Sequence, residues 1–294
     1  MQRVRNENNL LDGWTWTMRN TIQPNLNDAT TRILLVGPIG AGKTTQLATL
    51  SGKKCGYLFD ASAIEALAVA GVKGEFIEMQ PQGTDIMISS IRKKGIKKGD
   101  KADGSEGTIQ GSDAYNPTLY LDFVRDFDER TEAGWFDQFD WLLFDSCTTF
   151  GKALLERIIY FQEMVDRDDG RTDYQKAGTY MSNVIRRLAS LPCNILVTAH
   201  YESRQDEINR RITNQFMMPG ASRKYVPLLF GHVLICSHEA KSGTSKYLVQ
   251  TKPDRENLDV RTTLLGLDMH QDVTIKDMKT PEKYGLGALL AKRG

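Results

Sequence analysis

Short apolar runs alternate with longer amphipathic stretches through most of the chain. Apolar runs bounded by polar residues are typical of buried strands, and amphipathic stretches are typical of helices that cover a sheet. The predicted strands are RILLV (32–36), CGYLFDA (55–61), GEFIEMQP (74–81), FDWLLFDS (139–146) and CNILVTAH (193–200). The predicted helices span 43–50, 62–71, 116–132, 149–165 and 174–191. This alternation predicts an α/β fold with a mostly parallel sheet flanked by helices.

The C-terminal third departs from this alternation. GHVLICSHE (231–239) and SKYLVQTK (245–252) flank the turn KSGT and predict an antiparallel hairpin at one edge of the sheet. The core is therefore expected to span 31–265. It is preceded by a polar extension, 1–30, and followed by a polar, glycine-bearing tail, 266–294.

Two segments within the core are polar. Residues 92–113 are rich in Lys and Gly with almost nothing to bury, which predicts a flexible basic insertion. This insertion is either a solvated linker or a basic finger that touches a phosphate backbone. Residues 201–226 predict a polar loop that contains several arginines.

Composition narrows the functional classes. The formal net charge is +1, so a nucleic-acid surface would have to be a local patch. The four cysteines lie far apart without a CxxC pair, which predicts buried thiols in a reducing compartment and no structural zinc. Every apolar run falls well short of the roughly 20 residues of a membrane helix, and the N-terminus has no apolar signal core. We expect a cytoplasmic protein without a membrane partner.

The stretch GPIGAGKT (37–44) lies between a predicted strand and a predicted helix and matches G-x-x-x-x-G-K-[ST]. Its glycines let the backbone curl so that N–H groups point at phosphate oxygens. Lys43 is expected to reach the β- and γ-phosphates, and Thr44 to offer its hydroxyl to Mg²⁺, with Thr45 ranked lower. ATP and Mg²⁺ are therefore the predicted cofactors. The predicted nucleotide-binding residues are Gly37, Pro38, Ile39, Gly40, Ala41, Gly42, Lys43, Thr44 and Thr45.

A magnesium ion at the phosphates needs an oxygen ligand from a neighbouring strand. Asp145 ends the apolar run WLLF and should emerge at the sheet edge, so we predict that it faces the metal with Thr44. Alternatively, Asp145 caps the following helix, although Ser146, Thr148 or Thr149 could do so instead.

Five segments together resemble the RecA-like ATPases, in particular the phage Sak-type single-strand annealing ATPases. They are GPIGAGKT, YLFDASAIEAL, WLLFDSCTTF, NILVTAHYE and YLVQTKPDREN, spread over roughly 30–265. The resemblance implies a P-loop NTPase with a RecA-like sheet that binds and hydrolyses ATP. It also implies an oligomer that acts on single-stranded DNA in recombination, annealing or replication, in the bacterial host if the protein is phage-encoded.

The resemblance also suggests catalytic residues. In RecA the second strand ends in an acid-small-Glu pattern whose Glu polarises the attacking water. Here Ser62 occupies the Glu position, and the candidate substitutes are Asp60, Glu65 and Glu78. Each could instead be a helix cap or a surface charge. We take Asp60 as the first candidate and expect slow or partner-dependent hydrolysis. Lys43, Asp60, Asp145 and His200 form the predicted catalytic set.

His200 ends the strand that resembles the family's sensor strand. It is expected to hydrogen-bond the γ-phosphate and to report hydrolysis to the adjacent loop. The alternatives are a purely structural histidine at a strand end and a sensor role for Glu202.

In the RecA-like group, the loop after the sensor strand contacts single-stranded DNA. Here the loop, 201–225, interleaves cations with aromatic rings, a pattern suited to sequence-tolerant strand binding. The cations are Arg204, Arg210, Arg211, Arg223 and Lys224, and the rings are Tyr201, Phe216 and Tyr225. The acids Glu202, Asp206 and Glu207 weaken this interpretation, and a solvated loop is the alternative. Lys93, Lys94, Lys97 and Lys98 of the basic insertion are a second candidate contact.

Lys252 and Arg255 of TKPDREN resemble cations that complete a neighbouring subunit's site in RecA-like oligomers. An exposed turn is the alternative. Two other functions stay open: a regulatory nucleotide switch that binds protein partners, which Ser62 favours, and a small-molecule P-loop kinase with residues 201–224 as its lid.

Overall fold

A computed structural model describes residues 30–81, 116–164, 170–205, 210–241 and 244–293. The predicted N-terminal extension, apart from Thr30, lies outside these residues. The basic insertion, with its candidate contacts Lys93, Lys94, Lys97 and Lys98, also lies outside them.

Within the described residues, eight strands form a single sheet, and two more form a separate antiparallel pair. In chain order they are β1 (Arg32–Val36), β2 (Lys54–Leu58), β3 (Glu75–Glu78), β4 (Trp141–Asp145), β5 (Asn194–Ala199), β6 (Tyr201–Gln205), β7 (Ile212–Phe216), β8 (His232–Lys241), β9 (Thr244–Gln250) and β10 (His270–Asp272). The sheet order is β10-β9-β8-β1-β5-β4-β2-β3. The strands from β8 to β3 pair in parallel, whereas β9 and β10 pair antiparallel. The predicted α/β fold, with its antiparallel C-terminal edge, is confirmed.

The central strands are buried on both faces, as a parallel sheet between two helical layers requires. Their register brings the carboxyl ends of four strands to one edge. Val36 pairs with Ala199, and Leu58 pairs with Asp145. The residues that follow β1, β2, β4 and β5 therefore lie side by side.

The described helices are α1 (Ala63–Val69), α2 (Leu119–Glu132), α3 (Cys147–Met164), α4 (Gly170–Ala189), α5 (Ser222–Tyr225) and α6 (Gly285–Leu290). One face of the sheet is covered by α2, α3 and α4 through a cluster of buried aromatic rings that includes Phe123, Phe144 and Phe150. Gly71, with φ of 66°, follows the end of α1 as predicted, because the left-handed conformation there favours glycine.

The other face is covered by α1, α6 and the segment after β1. That segment was predicted as a helix over 43–50 and is a 3₁₀ helix at Thr44–Thr49. Its Leu47 packs with Leu286 and Leu289 of α6. The polar tail predicted from residue 266 thus supplies both a strand of the sheet and a helix against the 3₁₀ segment.

The loop predicted over 201–226 is wrong in its secondary structure. Residues 201–205 and 212–216 pair as the antiparallel strands β6 and β7, and α5 follows. The hairpin carries polar side chains on both faces, so the sequence lacks the apolar alternation that marks a half-buried strand. Phe216 is 6% exposed and belongs to the core, so little of its ring is open for the base stacking that the sequence suggested.

Candidate active site

The loop after β1 has the curled backbone that its glycines predict. Gly40 and Gly42 have φ near +78° and +77°, a left-handed conformation that β-carbon-bearing residues rarely adopt. The N–H of Gly37 donates to the carbonyl of Ala199 at 3.2 Å, and a Cβ on Gly37 would lie 2.5 Å from the carbonyl oxygen of Cys236. The loop is therefore packed tightly between β5 and β8.

Lys43 is buried at the centre of this loop, with 6% exposure. Its ammonium group donates to the carbonyls of Gly37 at 3.0 Å and Pro38 at 2.8 Å. Burial lowers the pKa of Lys43, and the nearby carboxylates of Asp145 and Asp60 partly oppose that shift. The lysine is thus a positively charged donor held inside the cradle. Ile39, in contrast, directs its side chain to solvent, so it can contribute only backbone groups.

Thr44 and Asp145 lie in direct contact. The Thr44 hydroxyl donates to Oδ2 of Asp145 at 2.6 Å, and the Thr198 hydroxyl on β5 donates to Oδ1. Burial raises the pKa of Asp145, while both hydroxyls and Lys43 oppose the shift. Thr45 instead donates to the carbonyl of Gly42 at 2.7 Å, away from the carboxylate.

This donor set fits Mg²⁺. Hydroxyl and carboxylate oxygens are hard ligands, and the Thr44 oxygen that donates to Asp145 still has lone pairs for a metal. Among the described residues, no group of three or more His, Cys, Asp or Glu side chains could hold a metal ion. Magnesium usually keeps several waters and binds through one or two protein oxygens plus substrate phosphates, so a site with two protein oxygens suits it.

A second cluster surrounds Asp60, two residues beyond the end of β2. Its backbone N–H bonds to the carbonyl of Asp145 at 3.3 Å. The hydroxyls of Ser146, at 3.0 Å, and Thr149 donate to Oδ1, and His200 Nε2 lies 3.6 Å from Oδ2. The backbone N–H of His200 in turn donates to Thr148 at 2.9 Å. The structure thus brings together Asp60 and His200, which the sequence suggested separately.

The other candidate bases are placed differently. Glu65 on α1 and Glu78 at the end of β3 are both exposed, and so is Ser62 at the position of the family's Glu. Ser62 flanks the start of α1 without a side-chain capping bond. Asp60 is therefore the candidate that adjoins Asp145.

Asp60→Asn is expected to lower the free energy of unfolding by about 1–2 kcal/mol at pH 7, because it weakens hydrogen bonds made to a charge. Burial raises the pKa of Asp60, but contacts from His200, Thr149 and Ser146 outweigh it and leave the pKa below its ordinary value. This stabilisation is complete above the unfolded pKa of about 4 and is lost as pH falls through the folded value. Urea unfolding at a series of pH values between 7 and 3 measures it. A gap between variant and wild type that stays constant over that range would contradict the assignment.

An open groove of about 560 Å³ lies beside this cluster. Its lining includes Thr148 and Thr149 of α3, together with residues of β6 and β7 and of the segment before α5. Its charged side chains are Lys152, Glu202, Arg204 and Arg223. Arg204 donates to Glu202 at 2.8 Å, so the predicted alternative sensor is engaged by an arginine of its own strand.

The remaining predicted DNA contacts lie on the surface. Arg210, Arg211, Lys224 and Tyr225 are exposed, whereas Tyr201 is half-buried. Arg211 donates to the carbonyl of Arg255 at 2.9 Å, and the N–H of Asn214 donates to the carbonyl of Glu256 at 2.9 Å. The hairpin is therefore attached to the segment that carries the exposed Lys252 and Arg255.

The sequence analysis did not identify several hydroxyl groups that donate hydrogen bonds to Asp145 and Asp60. Thr198 could have been noticed, because it carries the single hydroxyl within the apolar run NILVTA. Ser146 and Thr149 appeared only as possible helix caps. Their contact with Asp60 depends on the parallel pairing of β2 with β4, which the local sequence does not reveal.

A family model described as an AAA domain matches residues 29–258. No curated protein matches the sequence. Two solved structures are similar to the chain. One is a KaiC-like protein of the hyperthermophilic archaeon Pyrococcus horikoshii, with 10% identity, 86% of this chain and 87% of that chain covered, and a TM-score of 0.40. The other is the flagellar accessory protein FlaH of Methanocaldococcus jannaschii, with 8% identity, coverage of 84% and 85%, and a TM-score of 0.37.

Among the described residues, every helix is too short or too polar to span a membrane.

Proposed function

Because this chain belongs to the AAA domain family, which its residues 29–258 match, we propose that it is a Mg²⁺-dependent ATPase that acts on single-stranded DNA. The observation that carries the ATPase assignment is the 2.6 Å hydrogen bond between Thr44 and Asp145. It joins the phosphate loop to the carboxylate of β4 at the point where P-loop enzymes hold their metal.

The roles of the loop follow from its contacts. Backbone N–H groups between Gly37 and Thr45 would hold the phosphates, with Lys43 exchanging its loop carbonyls for phosphate oxygens. Thr44 and Asp145 would hold Mg²⁺, which supplies charge neutralisation at the phosphates when bound. Thr198 keeps the Asp145 carboxylate oriented toward Thr44.

Asp60 is proposed as the acceptor for the proton of the attacking water, with His200 beside it as the sensor. Two hydroxyl donors and His200 already surround the Asp60 carboxylate, so its acceptor capacity is partly used. This occupancy, together with Ser62 in place of a Glu, supports slow turnover that a partner accelerates.

The groove supports single-stranded DNA as that partner. Arg204 is engaged by Glu202, and Lys152 lies 3.9 Å from Glu156. Arg223 is therefore the main cation that we propose for a phosphate backbone, with Lys152 beside it in the groove. Thr148 and Thr149 line the groove and also contact His200 and Asp60. Single-stranded DNA in the groove would therefore touch the two threonines that bond to Asp60 and His200. A role in phage recombination, annealing or replication is the process that we propose for this activity.

We further propose that the protein works as an oligomer in which Lys252 or Arg255 reaches the neighbouring subunit's phosphates. Both side chains are exposed, and their segment is attached to the hairpin through Arg211 and Asn214. Activity per molecule should then rise with protein concentration.

ATP hydrolysis measured with and without single-stranded DNA, at two protein concentrations, tests the proposed function. Stimulation by DNA supports it. ATP binding without turnover under every condition supports instead the regulatory switch, which the exposed Ser62 favours. ADP formation only with a small-molecule acceptor would indicate a kinase.

Arg223→Glu is expected to weaken binding of a labelled oligonucleotide while leaving the Kd for ATP unchanged. Loss of one phosphate contact should reduce the slope of log affinity against log salt concentration by about 0.7. The matched control is Arg186→Glu, an exposed arginine about 18 Å further along α4 than the groove residue Tyr174. Equal effects of both variants would remove the groove from the DNA-binding surface.

A further inference from the structure

The strand order gives the bound nucleotide a direction. Asp145 ends β4, while Asp60 and His200 follow β2 and β5, and these three strands all lie on one side of β1. Strands β8 and β9 lie on the other side. Since Lys43 and Thr44 serve the β/γ end and the metal, the γ-phosphate end points toward β4. The nucleoside end is therefore expected on the side of β8 and β9.

Tyr247 of β9 lies on that side, against the end of the phosphate loop. A Cβ on Gly42 would lie 3.1 Å from Tyr247 Cδ1 and 3.4 Å from its Cε1. The same position is 3.4 Å from the Thr45 hydroxyl. The aromatic ring thus borders Gly42, the loop residue directly before Lys43.

The backbone fixes Tyr247 on both sides. Its N–H donates to the Thr274 hydroxyl at 2.9 Å, and its carbonyl accepts from the N–H of Val273 at 2.9 Å. Across the β8–β9 hairpin it pairs with His238, whose ring centroid is 6.4 Å away. Its side chain is half-buried and packs against the core cluster that contains Cys236 and Val249. Part of the side chain is therefore fixed by packing, and the rest is accessible to a ligand.

We propose that Tyr247 is the platform on which the nucleoside of a bound triphosphate packs, a subsite that deepens the proposed nucleotide binding and rests on it. Every base presents a π face, so an aromatic platform is tolerant of base identity. ATP and GTP should therefore bind with similar affinities, whereas a ligand without a nucleoside should not sense the ring.

Calorimetric titration with MgATP, MgGTP and magnesium tripolyphosphate tests the subsite. Tyr247→Ala is expected to weaken ATP and GTP about tenfold, the usual scale for loss of one base–aromatic stack. Its effect on tripolyphosphate should stay within about twofold, because the phosphate loop is intact. Tyr247→Phe should retain wild-type affinity, and Tyr247→Leu should resemble the alanine variant. Tyr180→Ala, an exposed tyrosine on α4, is the control for loss of a surface ring.

The other outcomes overturn the inference in distinguishable ways. Equal weakening of ATP and tripolyphosphate would show that Tyr247 supports the loop structurally. Tighter binding of both ligands to Tyr247→Ala would make the ring an obstruction over the loop. Unchanged ATP affinity would place the nucleoside elsewhere. If wild-type protein binds neither ligand, the nucleotide-binding function itself fails.

Discussion

Asp145→Asn is expected to lower the rate of ATP hydrolysis at least about 100-fold, because the amide removes the negative charge that would hold Mg²⁺. The variant nearly preserves shape, and its carbonyl oxygen can still accept from Thr44 or Thr198. Loss of activity would then come from lost metal charge and not from a rearranged loop. The KM for MgATP should change less than the rate if the carboxylate acts mainly on the transition state.

The same substitution should leave the protein at least as stable as the wild type without nucleotide and metal. Asp145 is 1% exposed, and burial raises its pKa. An acid whose folded pKa lies above its unfolded pKa loses stability as pH rises through that interval, so the ionised carboxylate costs stability near neutrality. A neutral amide removes this cost.

Steady-state hydrolysis and urea unfolding of one preparation measure both effects. Asp259→Asn, at an exposed aspartate after the segment of Lys252 and Arg255, is the matched control. Turnover of Asp145→Asn close to that of Asp259→Asn would contradict the metal role. A large loss of stability would indicate that the carboxylate is structural.

Gly287→Ala is expected to lower the free energy of unfolding by about 3 kcal/mol, at the upper end of the range for overpacking. A Cβ at Gly287 would overlap the backbone carbonyl oxygen of Thr49, and backbone cannot rotate away as a side chain can. The N–H of Gly287 also donates to the Thr49 hydroxyl at 3.0 Å, and Gln46 accepts from the N–H of Leu286 at 3.0 Å. Alanine's better helix propensity, worth about 1 kcal/mol, is too small to compensate.

The substitution should also weaken ATP binding, because α6 holds the 3₁₀ segment that begins at Thr44. Gly231→Ala is the control, since a Cβ there would meet only the Thr263 methyl group at 3.9 Å. Thermal unfolding and nucleotide titration of both variants provide the comparison. A Gly287→Ala protein with wild-type stability would show that α6 does not pack on this segment.

The nucleotide loop could be predicted because its functional residues are consecutive in the sequence. GPIGAGKT specifies its own turn, and the following Thr44 contacts Asp145 because β1 and β4 end at the same sheet edge. The parallel strands could also be predicted from consecutive residues. A strand that is buried on both faces is apolar throughout, so each one appears in the sequence as a continuous apolar run.

The contacts around Asp60 could not be predicted in this way. They join residues from β2, α3 and β5, and each depends on strand register and on the first turn of α3. The packing of α6 was missed for a related reason: a six-residue helix shows too few turns for its apolar face to produce a recognisable period. Strands β6 and β7 were predicted as a loop because both of their faces carry polar side chains, so the sequence shows no alternation of apolar and polar residues.

Binding of MgATP to the wild-type protein and to Lys43→Ala tests the central claim most directly. The account predicts saturable binding to the wild type with a Kd between about 1 µM and 1 mM, the usual range for enzymes and their substrates. It predicts a large loss in the variant, whose fold should be checked by circular dichroism. A folded wild-type protein that fails to bind MgATP, or binds it equally well without Lys43, would contradict the claim that residues 37–44 grip a triphosphate.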